Sequence, residues 1–169
     1  DAAQVAAGST GAGDADNDYG YILGEDHYQE IFVGRFSAET EADIISQVSK
    51  TIAYEKTPSN DNYFSKGICI ASNEGAGIGD EGQSDFEHQD LIREQLLNYN
   101  YTDVAELFDG TQGNADAPGN PVANDLSSLI NSGTGLITYT GHGSGSSLST
   151  TDFSITDANN LVNTGKWPF

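Results

Sequence analysis

The strongest constraint on the fold is the alternation of two apolar patterns along the chain. Short, nearly continuous apolar runs, Gly67-Ile68-Cys69-Ile70 and Gly135-Leu136-Ile137 among them, are separated by segments in which apolar side chains recur at helical spacing. A run apolar at consecutive positions suits a strand covered on both faces. Strands of that kind become parallel neighbours only through long crossover connections. The pattern therefore predicts an α/β chain with a mostly parallel sheet and helices on both faces.

Tyr19 to Leu23, Ile31 to Phe36, Lys66 to Ala71, Val104 to Phe108 and Gly135 to Tyr139 read as strands, rich in β-branched and aromatic residues. A first helix is expected from an N-cap at Ser37, with Ile44, Ile45, Val48, Ile52 and Ala53 on one stripe, up to the Lys56-Thr57-Pro58 stop. A second starts near Ser84 or Asp85 and carries Leu91, Ile92, Leu96 and Leu97. A third follows Pro121 with Val122, Leu126, Leu129 and Ile130, and a short one covers Thr156 to Asn163. Trp167-Pro168-Phe169 reads as the onset of a further strand. At 169 residues the length suits one domain. Residues 1–18, rich in Ala, Gly, Asp and Asn, read as an acidic linker or loop, and 19–169 as the folded domain.

Charge and cysteine content narrow the partners. Twenty-six acidic against 6 basic residues give a formal net charge of -20, which repels phosphate backbones and anionic lipid, so nucleic acid is excluded as a partner. Cations, basic peptides and a salty extracellular milieu all suit that charge, as does a merely solubilising surface. No run approaches the roughly 20 apolar residues of a membrane-spanning helix. The single cysteine, Cys69, rules out an intrachain disulfide framework and lies within an apolar run, where a small buried hydrophobe is expected rather than a nucleophile.

Chemistry in a parallel α/β sheet gathers beyond the carboxyl ends of its strands. Two loops begin there: Ser72-Asn73-Glu74-Gly75 and Thr140-Gly141-His142-Gly143-Ser144. Flanking glycines expose the His142 ring and leave the Gly143 N–H open to a ligand oxygen. An imidazole titrating near neutrality suits acid–base work there, and a simple loop histidine is the other reading. Glu74 is placed to orient that ring from the adjacent loop, or is a solvated acid. A nucleophile is missing: Ser144 and Ser146 lie too close to His142 along the chain, and no G-x-S-x-G elbow, P-loop or H-E-x-x-H helix occurs. Alternate residues Asp26, Tyr28 and Glu30 offer two carboxylates and a carbonyl to a hard cation such as Ca²⁺. The alternating Asp14, Asp16 and Asp18 form a second acidic run, and His27 is weak support for zinc.

Four segments in this order, Ile31-Phe32-Val33-Gly34-Arg35-Phe36-Ser37, Cys69-Ile70-Ala71-Ser72-Asn73-Glu74-Gly75, Ser84-Asp85-Phe86-Glu87-His88 and Tyr139-Thr140-Gly141-His142-Gly143-Ser144, resemble the catalytic domain of the gingipains. The similarity runs from about Asp16 to Phe169. It implies a caspase-like fold and a secreted or cell-surface cysteine endopeptidase acting on protein or peptide substrates. His142 matches the histidine of the family's His/Cys dyad, Gly143 an oxyanion-hole donor and Glu74 an acid close to the dyad. Asp85 matches the carboxylate at the base of the pocket for Arg, which implies cleavage after Arg or Lys; an N-cap role for Ser84-Asp85 is the other reading. The carbonyls of Leu23 and Tyr28, with Asp26 and Glu30, match a structural Ca²⁺ loop. A second family cation site is uncertain where this chain has Gln83.

In the family the nucleophilic cysteine lies on the strand that starts at a Pro-Phe pair resembling Pro168-Phe169. The expectation is that this chain is the histidine-bearing part of an incomplete domain, inert alone and partnered by the rest of its own catalytic domain. Two alternatives stand: a calcium-binding, non-catalytic surface or adhesion module with the same fold, and a secretion-pathway processing or sorting peptidase.

Overall fold

The computed structural model describes residues 3–6, 12–25, 28–58, 61–77 and 81–168. The chain divides into two compact units, Asp1–Thr51 and Ile52–Phe169.

In the first unit, β1 (Ala3–Ala6) pairs antiparallel with β2 (Ala12–Ala15). Within the segment read as linker or loop, the backbone thus makes its own ladder. Two strands expected from composition are not formed. Tyr19 lies in a 3-10 turn, Asn17–Gly20, and the chain is irregular from there to Leu23 and again over Ile31 to Phe36, where Phe32 is fully exposed. β-branched and aromatic residues make a strand only where another strand completes the ladder. Here the chain closes a loop instead, with the Glu30 N–H donating to the Gly20 carbonyl at 3.0 Å. Helix α1 (Glu41–Lys56) starts four residues later than the expected Ser37 cap. Thr40 takes that role: its Oγ1 accepts from the Asp43 N–H at 3.3 Å, and Asp43 Oδ2 accepts from the Thr40 N–H at 2.9 Å. The predicted stripe is present on α1, and none of its residues is fully buried.

The second unit holds the sheet. Strands β3 (Lys66–Ala71), β4 (Asp103–Phe108) and β5 (Leu136–Thr140) are all parallel, in the order β4-β3-β5. Helix α2 (Asp85–Asn98) links β3 to β4, and α3 (Ala123–Ser132) links β4 to β5. The consecutive apolar residues of β3 explain its central place, since alternate side chains feed opposite faces. Ile68 and Ile70 pack with Leu107 and with Leu126 and Ile130 of α3, and Leu161, beyond the short helix α4 (Ile155–Asn159), joins that layer. Cys69 and Ala71 pack with Val104 and Phe108 beneath Phe86, Ile92, Leu96 and Leu97 of α2. Helices thus cover both faces, as expected, and burying each large side chain is worth about 1.5–3 kcal/mol.

Cys69 is fully buried as a core residue, with its sulfur 3.5 Å from the Thr138 hydroxyl oxygen, and burial pushes its thiol pKa up. Helix α4 is shorter than Thr156 to Asn163. Trp167 and Pro168 form no strand, and Phe169 lies outside the described residues. No helix among the described residues is long and apolar enough to cross a membrane.

Candidate active site

The register of the sheet decides where chemistry can gather. Ala71 of β3 pairs with both Phe108 of β4 and Thr140 of β5, so the three strands end in line. The loops that begin at Ser72, Asp109 and Gly141 therefore leave one edge together. Two backbone bonds tie them: Ser72 N–H to the Thr140 carbonyl and Asp109 N–H to the Ala71 carbonyl, each 3.0 Å.

His142 and Glu74 meet at this rim. Imidazole Nε2 lies 3.1 Å from Glu74 Oε2, and the two side chains are 78% and 64% exposed. The ring is thus at the surface and not packed into the core. Its Nδ1 makes no hydrogen bond to a described residue, nor does the Gly143 N–H. The His142 carbonyl accepts from the Ser149 N–H at 2.9 Å and from the Tyr139 hydroxyl.

Asp85 is brought to the same loops. It is the first residue of α2, with Ser84 in the flanking cap position, where the Ser84 N–H and hydroxyl both donate to Glu87 Oε2 at 2.7 and 2.8 Å. Ser84 therefore serves the helix end, and the Asp85 carboxylate turns back toward the Glu74 loop. Asp85 Oδ2 accepts from the Ser72 hydroxyl at 2.6 Å, Ser72 Oγ accepts from the Glu74 N–H at 3.1 Å, and the Asp85 N–H donates to the Glu74 carbonyl at 2.9 Å. Gly75, at φ +78°, completes the fit, because a Cβ there would lie 2.8 Å from Asp85 Oδ1.

Three further residues at this rim escaped the sequence reading. Asp109 directly follows β4, and burial raises its carboxyl pKa, aided by the negative charges of Glu74 and Asp152. Its place after a strand end was the available signal. Gln89, buried one turn beyond Asp85 on α2, donates to Thr140 Oγ1 at 2.8 Å and accepts from the Thr138 hydroxyl at 2.6 Å, joining α2 to β5. Tyr139 reads in sequence as a core residue of β5, and only the turn after it shows where its hydroxyl goes.

The first unit holds the acidic loop. Glu30 Oε2 accepts from the N–H groups of Ile22 and Leu23 at 3.0 and 3.2 Å, which folds the loop around that carboxylate. Tyr28 is exposed, and Asp26 and His27 lie outside the described residues. Among the described residues no three His, Cys, Asp or Glu side chains converge as a metal cluster. Carboxylate and carbonyl oxygens, the donor types this loop carries, are those a hard cation takes. Asp16 is committed elsewhere: Arg35 grips it with two 2.7 Å bonds, holding its carboxyl below the usual range. Gln83 spans the Glu81 N–H and His88 Nδ1, at 2.7 and 3.2 Å.

The chain is similar to the crystal structure of the Arg-specific cysteine proteinase gingipain R (RGPB), with a TM-score of 0.78 and 36% identity over 92% of this chain and 34% of that one. It matches equally well a complex of Porphyromonas gingivalis RgpB pro- and mature domains, with 35% of that chain covered. Sheet, helices and rim loops together define a caspase-like α/β peptidase domain. The chain belongs to peptidase family C25, whose sequence profile matches residues 4–169. Among curated relatives it is 37% identical to gingipain R2 and gingipain R1 of P. gingivalis over 156 residues, 92% of this chain. It spans only 20% and 15% of the length of those two relatives.

Proposed function

We propose that this chain supplies the histidine side of a cysteine endopeptidase that cleaves peptide bonds after Arg or Lys, in a secreted or cell-surface setting. The nucleophile is a cysteine outside the chain, supplied by the rest of the catalytic domain. The observation that carries this reading is the exposed His142–Glu74 pair beside an unengaged Gly143 N–H, at the carboxyl edge of a parallel sheet.

Each group has a role that its geometry suits. Nε2 is paired with Glu74, so Nδ1 is the nitrogen left to take the proton from the thiol. The thiolate attacks the substrate carbonyl and forms the S–C bond. The carbonyl oxygen becomes an oxyanion, and the Gly143 N–H donates to it. When the C–N bond breaks, the imidazolium returns its proton to the departing amine, leaving an acyl thioester that water hydrolyses. Glu74 stabilises the imidazolium by charge. Asp85, half-buried and already oriented by Ser72, offers a carboxylate to a guanidinium or ammonium group. The name of the similar structure, an Arg-specific proteinase, supports that assignment. We also propose that Leu23, Asp26, Tyr28 and Glu30 hold a structural Ca²⁺, whose contribution is to fix the loop.

The test uses the full-length protein and a fluorogenic peptide with Arg before the scissile bond. His142→Ala is expected to lower kcat about 1,000-fold or more; unchanged turnover overturns the assignment.

A further inference from the structure

The loop that bears His142 contains a device for aiming the amide that follows it. Resting on the reading of Gly143 as an oxyanion donor, we propose that Tyr139 is a positioning residue that sets the direction of the Gly143 N–H by clamping the His142 carbonyl.

The His142 carbonyl and the Gly143 N–H are the two ends of one planar peptide unit. In a trans unit they point in opposite directions, and the described chain has no cis bonds. Whatever fixes the carbonyl therefore aims the N–H. Two donors hold that carbonyl, the Ser149 N–H at 2.9 Å and the Tyr139 hydroxyl. The hydroxyl is itself located by buried Thr150, whose N–H lies 3.5 Å and whose Oγ1 lies 3.4 Å away. The tyrosine side chain packs against the Ile68, Ile70 and Leu126 cluster, so the clamp is anchored in the core.

The residue between them has to be small. A Cβ on Gly141 would lie 2.8 Å from the Tyr139 oxygen and 3.0 Å from Cζ, so any other side chain there displaces the hydroxyl. With the hydroxyl removed, the peptide plane keeps only the Ser149 bond and can rotate about its flanking torsions. The N–H then meets the oxyanion less often and less directly, a loss felt in the transition state rather than in substrate binding.

The test compares Tyr139→Phe and Gly141→Ala with the unaltered full-length protein. Both variants are expected to lower kcat for an Arg amide substrate on the order of tenfold to a hundredfold with KM little changed. A peptide aldehyde, whose oxygen takes the oxyanion position once the thiol adds to its carbonyl, should lose affinity by a similar factor. Alkylation of the nucleophilic cysteine by iodoacetamide develops no oxyanion at a carbonyl, so its rate should not move. Unchanged kcat in Tyr139→Phe, or kcat and alkylation falling together as a general loss of structure would make them, overturns the proposal. A fully active His142→Ala variant would instead sink the peptidase reading beneath it, so the two failures are distinguishable.

Discussion

Asp85 shows how one side chain can be freed for a ligand by its neighbour. An acid at the first helical position is favoured by the helix dipole whatever else it does. Because Ser84 holds the cap position and pairs with Glu87, the Asp85 carboxylate is left to face Ser72 and Gly75. If it receives the basic side chain of the substrate, Asp85→Asn keeps the shape and the Ser72 bond while removing the charge. The expected outcome, read as kcat/KM on full-length protein, is a loss on the order of tenfold to a hundredfold for Arg peptides and little change for a slow neutral peptide. Equal losses on both would show that Asp85 serves the loop and not the substrate. At this scale the sequence was informative where chemistry and spacing coincide: a histidine between glycines, an acid just after a buried strand. It marked Asp109 only by its place after a strand end, which any polar turn residue shares, and it was silent on Tyr139, whose hydroxyl partner depends on a turn that no local pattern encodes.

Among the elements, the three sheet strands and helices α2 and α3 were legible because unbroken apolar runs and helical stripes leave few other ways to bury them. Residues 19–23 and 31–36 have strand composition, but a ladder also needs a partner, which composition does not supply. Strand β4 carries a feature the patterns missed, the buried acid Glu106 among apolar residues. Its Oε2 accepts from the Ala115 N–H at 2.7 Å. Arg93 Nε is 3.2 Å from Oε1, yet its one N–H donates to the Val104 carbonyl, and Oε1 is left without a hydrogen bond. Burial, with Asp90 adding to it, pushes the Glu106 pKa up from 4.5 to about 7. Across that interval the folded chain keeps a proton that the unfolded chain releases. Its contribution to stability is therefore complete below pH 4.5 and is lost as pH rises through 7. Glu106→Gln should flatten the fall of Tm between pH 5 and 8, a change on the order of 1 to 3 kcal/mol. Parallel Tm profiles for variant and parent would contradict this account.

Across the whole molecule the net charge of -20 works against compactness through self-repulsion, so cations that bind the folded state at defined sites stabilise it. If the Glu30 loop takes Ca²⁺, chelation should lower the Tm of the full-length protein by several degrees, since a site filled at a hundred times its Kd contributes about 2.7 kcal/mol. Mg²⁺ at equal ionic strength should not restore the loss, and Glu30→Gln should remove most of the Ca²⁺ response. Full restoration by Mg²⁺ or by NaCl would reduce the effect to general screening. The same sheet that lines up the rim loops also seals Cys69 in its middle, with its thiol pKa raised. Covalent thiol probes applied to the native protein therefore meet a dark background over this entire stretch, and any label incorporated stoichiometrically reports on a sulfur contributed from elsewhere.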